Sequence, residues 1–241
     1  MRNEKYTCFL LVILMMTFAA QAGTIKGTIV YEGPIPKLKP INMEADPICH
    51  AKHDTPVLVE TLVLGEGRTM ANVFVHVKNA PKKSYETPEE PVVISQKGCV
   101  YTPHVLGIMV DQPMKIMNED GTLHNVHALC KTNKEFNVAM PGFRKEFTKT
   151  FKEEEFMFLM KCDVHPWMSA WISVMGHPFF DTTGKEGTYE IKGLPPGVWQ
   201  IEVWHERLKT QTRTVKIAGK DDVQVADFTY QHPSLKKKAA K

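Results

Sequence analysis

The sequence has 241 residues, enough for one large or two small domains. Hydrophobic residues make up 43% and charged residues 24%, so the chain can bury an ordinary core and is not a disordered polymer. A net charge of only +3, with a local basic run confined to the C-terminal tail, argues against a nucleic-acid-binding protein.

Residues 1–22 have the features of a secretory signal peptide. Arg2 and Lys5 give a positive start, an apolar run from Cys8 to Ala20 follows, and Ala20-Gln21-Ala22 is a small-x-small cleavage site. The run is shorter than the roughly 20 residues that span a bilayer, although an uncleaved anchor is the alternative. We therefore expect a periplasmic or secreted protein that does not associate with the membrane after cleavage.

The mature sequence predicts an all-β protein. Short apolar runs of strand length are separated by Gly, Pro, Asn and Asp, which is typical of β-sandwiches. The predicted strands are 24–31, 57–64, 73–77, 92–94, 114–117, 155–160, 170–174, 198–204, 212–217 and 223–228. The stretch 143–155 is the most favourable for a helix, but its second part alternates like a strand. Residues 78–91, rich in Pro, Lys and Glu, predict an exposed loop.

The last third of the chain contains a predicted strand, a turn and a second predicted strand. Residues 187–203 have apolar side chains at every second position on either side of Leu194-Pro-Pro-Gly197. This stretch resembles the carboxypeptidase regulatory-like, or transthyretin-like, sandwich, which implies a small Ig/transthyretin-like β-sandwich at 177–230 and a basic tail at 231–241. The opening strand is similar to the first strand of that module, so segment 23–56 is expected to pair with it.

The strongest chemical signal is Cys162-Asp-Val-His165-Pro-Trp-Met168. A thiolate, an imidazole and a thioether lie within seven residues, so one loop can bring them to a single point. A type-1 copper centre needs these three donors and a second imidazole. His124, at the start of a predicted strand after a turn-rich segment, can supply it.

This pattern resembles the cupredoxins, amicyanin and plastocyanin above all, over residues 92–174. The resemblance implies a cupredoxin Greek-key β-sandwich at 57–176 that holds one type-1 copper through His124, Cys162, His165 and Met168. It also implies that the Asn125 backbone N–H donates to the Cys162 sulfur and that the ring edge of His165 reaches the surface. An apolar collar of Pro166 and Trp167 would then be the docking site of a redox partner protein.

Other uses of the histidines stay open. A zinc site could combine Cys162, His165, His124 and His127. Otherwise His127 is expected to be structural, because residues three apart on a strand point to opposite faces.

Export and the surplus of cysteines predict a disulfide between Cys49 and Cys99, with Cys130 free, although Cys130 could pair with either. A second metal site is the alternative use of this region. Its donors would be Cys49, His50, His53, Cys99 and His104.

These observations predict an electron carrier that passes single electrons between periplasmic partners. Four protein ligands leave no open metal position for a substrate, and no acid–base pair, nucleophile triad or phosphate-binding loop is visible. We therefore expect neither an enzyme nor a small-molecule substrate. The alternatives are copper binding or delivery without redox turnover, and a copper-bearing subunit of a periplasmic oxidoreductase complex.

Overall fold

The computed structural model describes residues 22–232 and residue 235. Residues 1–21 of the expected signal peptide and most of the basic tail lie outside the described residues. Within the described part of the chain, no helix is long and apolar enough to cross a membrane.

Strands make up almost all of the regular structure, so the all-β prediction is confirmed. They are β1 (Gly23–Glu32), β2 (Phe74–Val77), β3 (Val92–Lys97), β4 (Val100–Thr102), β5 (Val105–Met109), β6 (Met114–Asn118), β7 (His124–Ala128), β8 (Phe136–Met140), β9 (Glu146–Lys149), β10 (Glu155–Lys161), β11 (Ser169–Met175), β12 (Phe180–Thr182), β13 (Thr188–Leu194), β14 (Gly197–Trp204), β15 (Gln211–Ile217), β16 (Val223–Val225) and β17 (Phe228–Gln231). A short helix, α1 (Pro47–His50), and a 3-10 turn (Glu66–Arg68) interrupt the long connection between β1 and β2. The stretch 143–155 contains β9 instead of a helix.

The middle of the chain forms one sandwich, here called the central sandwich. One of its sheets has the order β5-β11-β10-β7-β8 and the other has the order β4-β3-β6-β9. β5 lies parallel to β11 and β3 lies parallel to β6, so the chain crosses between the sheets. Alternate side chains from both sheets, such as Ile94, Ile116 and Ile172, meet in one buried core.

Both ends of the chain build a second sandwich, here called the terminal sandwich. β1 pairs antiparallel with β13 and parallel with β16 and β17. The facing sheet has the order β12-β2-β14-β15. The aliphatic and aromatic core between the sheets includes Ile29, Val75, Ile201 and Tyr230.

The domain boundary expected at residue 57 is not where the central sandwich starts. Phe74–Val77 lies between β12 and β14 in the terminal sandwich, with all four residues buried. The run 57–64 makes only isolated bridges, from Leu58 to Pro40 and from Leu64 to Met70. β2 lies in the terminal sandwich because it pairs with β12 and β14, which follow it by more than a hundred residues. No local sequence pattern specifies such long-range pairing.

The two sandwiches contact each other through a small apolar cluster. Phe74 of the terminal sandwich packs with Val105 and Met175 of the central one. At Gly107 a Cβ atom would lie 2.6 Å from the rings of both Phe74 and Phe180. The absence of a side chain at this position allows β5 to approach the rings closely.

Residues 41–57, here called the cap loop, lie against the central sandwich. The backbone N–H of Ile41 donates to the Val57 carbonyl at 2.8 Å and closes the base of the loop. Asp46 caps helix α1, which begins with Pro47, and a disulfide from Cys49 to Cys99 fastens the helix to the turn between β3 and β4.

Candidate metal centre

The loop from Cys162 to Met168 joins β10 to β11 and folds back on itself. The Cys162 N–H donates to the Met168 carbonyl at 3.1 Å, and the Met168 N–H donates to the His165 carbonyl at 2.9 Å. These bonds draw the three expected ligands of the loop together, and all three side chains are buried.

His124 reaches this loop because of the register between β7 and β10. His127 lies opposite Lys161, the last residue of β10. His124, three residues earlier, therefore extends past the end of β10 to the side of the ligand loop. It is fully buried there.

The side chains converge on one point. The Nδ1 atoms of His124 and His165 are 2.9 Å apart, and Cys162 Sγ lies 3.8 Å from His165 Nδ1. The donor atoms of these three residues all lie within 4.8 Å of one another. Met168 lies in the same buried core as Cys162.

The opposite edges of both imidazoles bind carboxylates. His124 Nε2 lies 2.9 Å from Asp120 Oδ2, and His165 Nε2 lies 2.9 Å from Asp46 Oδ2. A carboxylate only accepts, so both Nε2 atoms donate, and in the neutral rings both Nδ1 atoms present a lone pair. Two lone pairs that face each other beside a sulfur repel unless a cation lies among them. The donor set therefore fits a metal ion, and its thiolate and imidazoles suit copper or zinc.

Hydrogen bonds favour the charged forms of the acidic groups. Burial alone would raise the pKa of Asp120, but bonds from His124 and from the N–H groups of Cys99 and Gly98 lower it to about 2. Burial also opposes ionisation of Cys162, yet His124 and the N–H of Asn125 hold the pKa of this thiol below its usual value. A lowered thiol pKa favours the thiolate, which is the form that binds metals.

Asn125 ties the two ligand segments together. Its N–H donates to Cys162 Sγ at 3.4 Å, and its side-chain oxygen accepts from the Asp163 N–H at 2.5 Å. The Tyr101 hydroxyl donates to the Asn125 carbonyl at 3.0 Å. Hydrogen bonds at Asn125 thus hold the segment that carries His124 against the segment that carries Cys162.

No family model and no curated protein matches this chain. Several solved structures match part of the chain. A Cu-containing nitrite reductase from Thermus scotoductus SA-01 matches at 21% identity over 40% of this chain and 24% of its own, with a TM-score of 0.33. A Cu(I) form of an amicyanin variant matches at 18% identity over 42% of this chain and 98% of its own, with a TM-score of 0.33. A purple cupredoxin from Nitrosopumilus maritimus matches at 23% identity over 35% of this chain and 99% of its own, with a TM-score of 0.29.

These neighbours are cupredoxins. The present chain spans about a quarter of the nitrite reductase, so it is similar to a part of that protein. The likeness is one of fold alone and involves two fifths of this chain. What the site can bind follows from its own side chains.

The surroundings of His165 differ from the expectation. Instead of reaching the surface, this imidazole is only 1% exposed. The cap loop covers it, with Cys49 Sγ 3.6 Å and Asp46 Oδ2 2.9 Å from Nε2. The resemblance that predicted an exposed ring starts at residue 92, so it carried no information on a loop contributed by residues 41–57.

The expected apolar collar also differs. Pro166 is exposed, but Trp167 is partly buried. Its ring lies 5.1 Å from the His165 ring, and its indole N–H donates to the Cys99 carbonyl at 3.0 Å. Trp167 thus faces the disulfide and helps to enclose His165.

The remaining candidates have other partners. His127 uses both ring nitrogens, on Asp163 and Glu135, each at 2.9 Å, so it is not placed as a zinc ligand. Cys130 is a buried free thiol.

The alternative metal site around Cys49 is not assembled among the described residues. Cys49 and Cys99 form a disulfide. His53 contacts the Gly98 carbonyl at 2.7 Å, and His104 contacts the Ser169 carbonyl at 3.1 Å.

Sequence reasoning missed the two carboxylates that hold the imidazoles. Asp120 lies four residues before His124, within the turn-rich segment that precedes this histidine. Asp46 is followed by Pro47, a combination typical of a helix N-cap. That signal could have located α1, but not its contact with His165.

Proposed function

We propose that this chain is an exported blue copper protein that holds one type-1 copper ion through His124, Cys162, His165 and Met168 and transfers single electrons. The observation that carries the proposal is the convergence of two imidazole Nδ1 atoms on the Cys162 sulfur, in a site where the thiolate is favoured. The sequence of residues 1–22 and the disulfide support export.

Copper in this set of donors would alternate between Cu(I) and Cu(II). The protein's own part is to fix the donors. The N–H groups of Asn125 and His165, each 3.4 Å from Cys162 Sγ, stabilise the thiolate and orient it. Because the donors are anchored in a rigid sandwich and buried from water, they need to move little when the charge of the ion changes.

The donor set favours a carrier over an enzyme. All four proposed ligands are buried protein side chains, so no position is left for a substrate or a water molecule. Electrons would pass to a redox partner protein at the exposed residues of the ligand loop, which are Asp163, Val164 and Pro166.

Two matched cysteine variants test metal binding. Cys162→Ser is expected to abolish the thiolate-to-copper charge-transfer band and to lower the bound copper, whereas Cys130→Ser, at the other buried thiol, should leave both unchanged. Absorbance and metal analysis after copper loading measure the two effects. Equal copper content and equal colour in both variants would refute the proposed ligand set.

Reversible voltammetry separates electron transfer from copper delivery. A carrier should give a reversible wave and retain reduced copper against a chelator. A protein that gives no wave and surrenders its reduced copper to an apo-acceptor would be a copper-handling protein instead.

A further inference from the structure

We propose that Asp46 is a positioning residue for the copper ligand His165 and that the Cys49–Cys99 disulfide holds Asp46 in place. The inference rests on the proposed copper site and adds a way in which its affinity for copper is regulated. The cap loop would then be part of the metal centre, and the affinity for copper would depend on a covalent bond outside the ligand set.

The two oxygens of Asp46 have different partners. Oδ1 accepts from the N–H groups of Ile48 and Cys49, at 2.9 and 3.0 Å. Oδ2 lies 2.9 Å from His165 Nε2. One carboxylate therefore fixes helix α1 and the imidazole relative to each other.

This contact sets the tautomer of His165. Since the carboxylate accepts, the proton of the neutral ring lies on Nε2 and the lone pair of Nδ1 points towards His124 and Cys162. A carboxylate behind a metal-bound histidine fixes the ring orientation and raises the basicity of the ligand atom.

The disulfide links this arrangement to the second imidazole. Cys49 lies in α1, three residues after Asp46, whereas Cys99 lies in the turn between β3 and β4. The N–H groups of Gly98 and Cys99 donate to Asp120, at 2.7 and 2.8 Å, and Asp120 holds His124. The disulfide thus connects the backbone that donates to Asp46 with the backbone that donates to Asp120.

Reduction of this bridge would release the cap loop. A dithiol reductant breaks the S–S bond and supplies two electrons and two protons, so that two cysteine thiols form while the reductant closes its own disulfide. Without the bridge, the polar contacts that hold α1 and the residues after it are those of Asp46, an ion pair between Lys52 and Asp120 at 3.2 Å, and the contact of His53 with the Gly98 carbonyl at 2.7 Å. We expect His165 to be oriented less firmly and copper to bind more weakly.

Four variants of the full-length protein test the inference. Asp46→Ala removes both charge and acceptor, Asp46→Asn keeps an acceptor, and a Cys49→Ser, Cys99→Ser double variant mimics the open bridge. Asp54→Asn, at an exposed position of the same loop, is the control. The measurements are the Cu(II) dissociation constant by ligand competition and the His165 tautomer by nitrogen NMR in metal-free protein.

Asp46→Ala should raise the dissociation constant about 10–100-fold, in the range found when such outer carboxylates are removed. Asp46→Asn and the double variant should raise it less, and Asp54→Asn should not change it. In the metal-free protein His165 should carry its proton on Nε2, and Asp46→Ala should mix the tautomers. A residue that only stabilised the cap loop would change the melting temperature without changing the tautomer.

The two proposals fail in distinguishable ways. If the unmodified protein binds no copper, the proposed function is wrong, whereas the tautomer measurement still decides the role of Asp46. If the unmodified protein binds copper but Asp46→Ala leaves affinity and tautomer unchanged, the positioning role is overturned. Should Asp46→Ala fail to fold, unchanged affinity in Asp46→Asn and in the double variant would overturn it equally.

Discussion

The two sandwiches bury histidines in opposite ways. In the terminal sandwich, burial lowers the pKa of His205 to about 4, and desolvation does the same at the half-buried His177 between β11 and β12, so both rings are neutral. In the central sandwich His124 is fully buried, but the carboxylate of Asp120 and the nearby sulfur of Cys162 outweigh the effect of burial and raise its pKa. The difference at these histidines is the pair of acidic groups, Asp120 and Cys162, that surround His124 and favour a cation there.

Matched core truncations should separate stability from metal binding. Ile201 in the terminal core and Ile172 in the central core are both fully buried. Replacing either by Ala should lower the free energy of unfolding by about 2–5 kcal/mol. Denaturant unfolding measures this loss, and a copper titration should show weaker binding for Ile172→Ala alone. Equal losses of copper affinity would mean that the site responds to global stability.

Acid should destabilise the protein through its neutral histidines. His205 faces Glu206, His104 and Arg207, and burial dominates the shift of its pKa from 6.5 to about 4. The unfolded chain takes up a proton that the folded state excludes, so stability falls as the pH drops from about 6.5 to about 4. The effect is up to about 3 kcal/mol for this residue. Unfolding at several pH values should show a shallower slope in His205→Gln, and an unchanged slope would contradict this assignment.

The close approach between the sandwiches predicts a position-specific cost. Gly107→Ala would place a methyl group against the rings of Phe74 and Phe180 and should cost about 1–3 kcal/mol. Gly219→Ala, where a Cβ meets nothing within 4 Å, is the control. A thermal melt of both variants gives the difference, and equal melting temperatures would show that the junction can absorb the added volume.

Two tyrosine hydroxyls give the smallest expected effect. Tyr101 donates to the Asn125 carbonyl at 3.0 Å and Tyr230 to the Val203 carbonyl at 3.2 Å. Replacing either by Phe should cost about 1 kcal/mol. Only Tyr101→Phe should also shift the absorption of the copper-loaded protein, because Asn125 contacts Cys162. An identical spectrum in both variants would restrict Tyr101 to a packing role.

Local sequence patterns were sufficient for the all-β class and for naming donors that the fold brings together. Cys162 and His165 lie in one short loop, and the turn before His124 indicates that this residue lies at the end of a strand. The spacing of these residues in the sequence is therefore enough to predict them as metal ligands. The positions of β2 and of the cap loop depend on pairing with distant segments. Asp46 meets His165 across 119 positions of sequence. Such contacts depend on packing and on a disulfide, and they leave no periodic signal in the chain.

The central claim is most directly tested by the visible and electron paramagnetic resonance spectra of the oxidised protein loaded with one equivalent of copper. The account predicts a blue protein, with an intense thiolate-to-copper charge-transfer band and the narrow copper hyperfine splitting of a type-1 site. A colourless protein that binds one equivalent of zinc in preference to copper would contradict it.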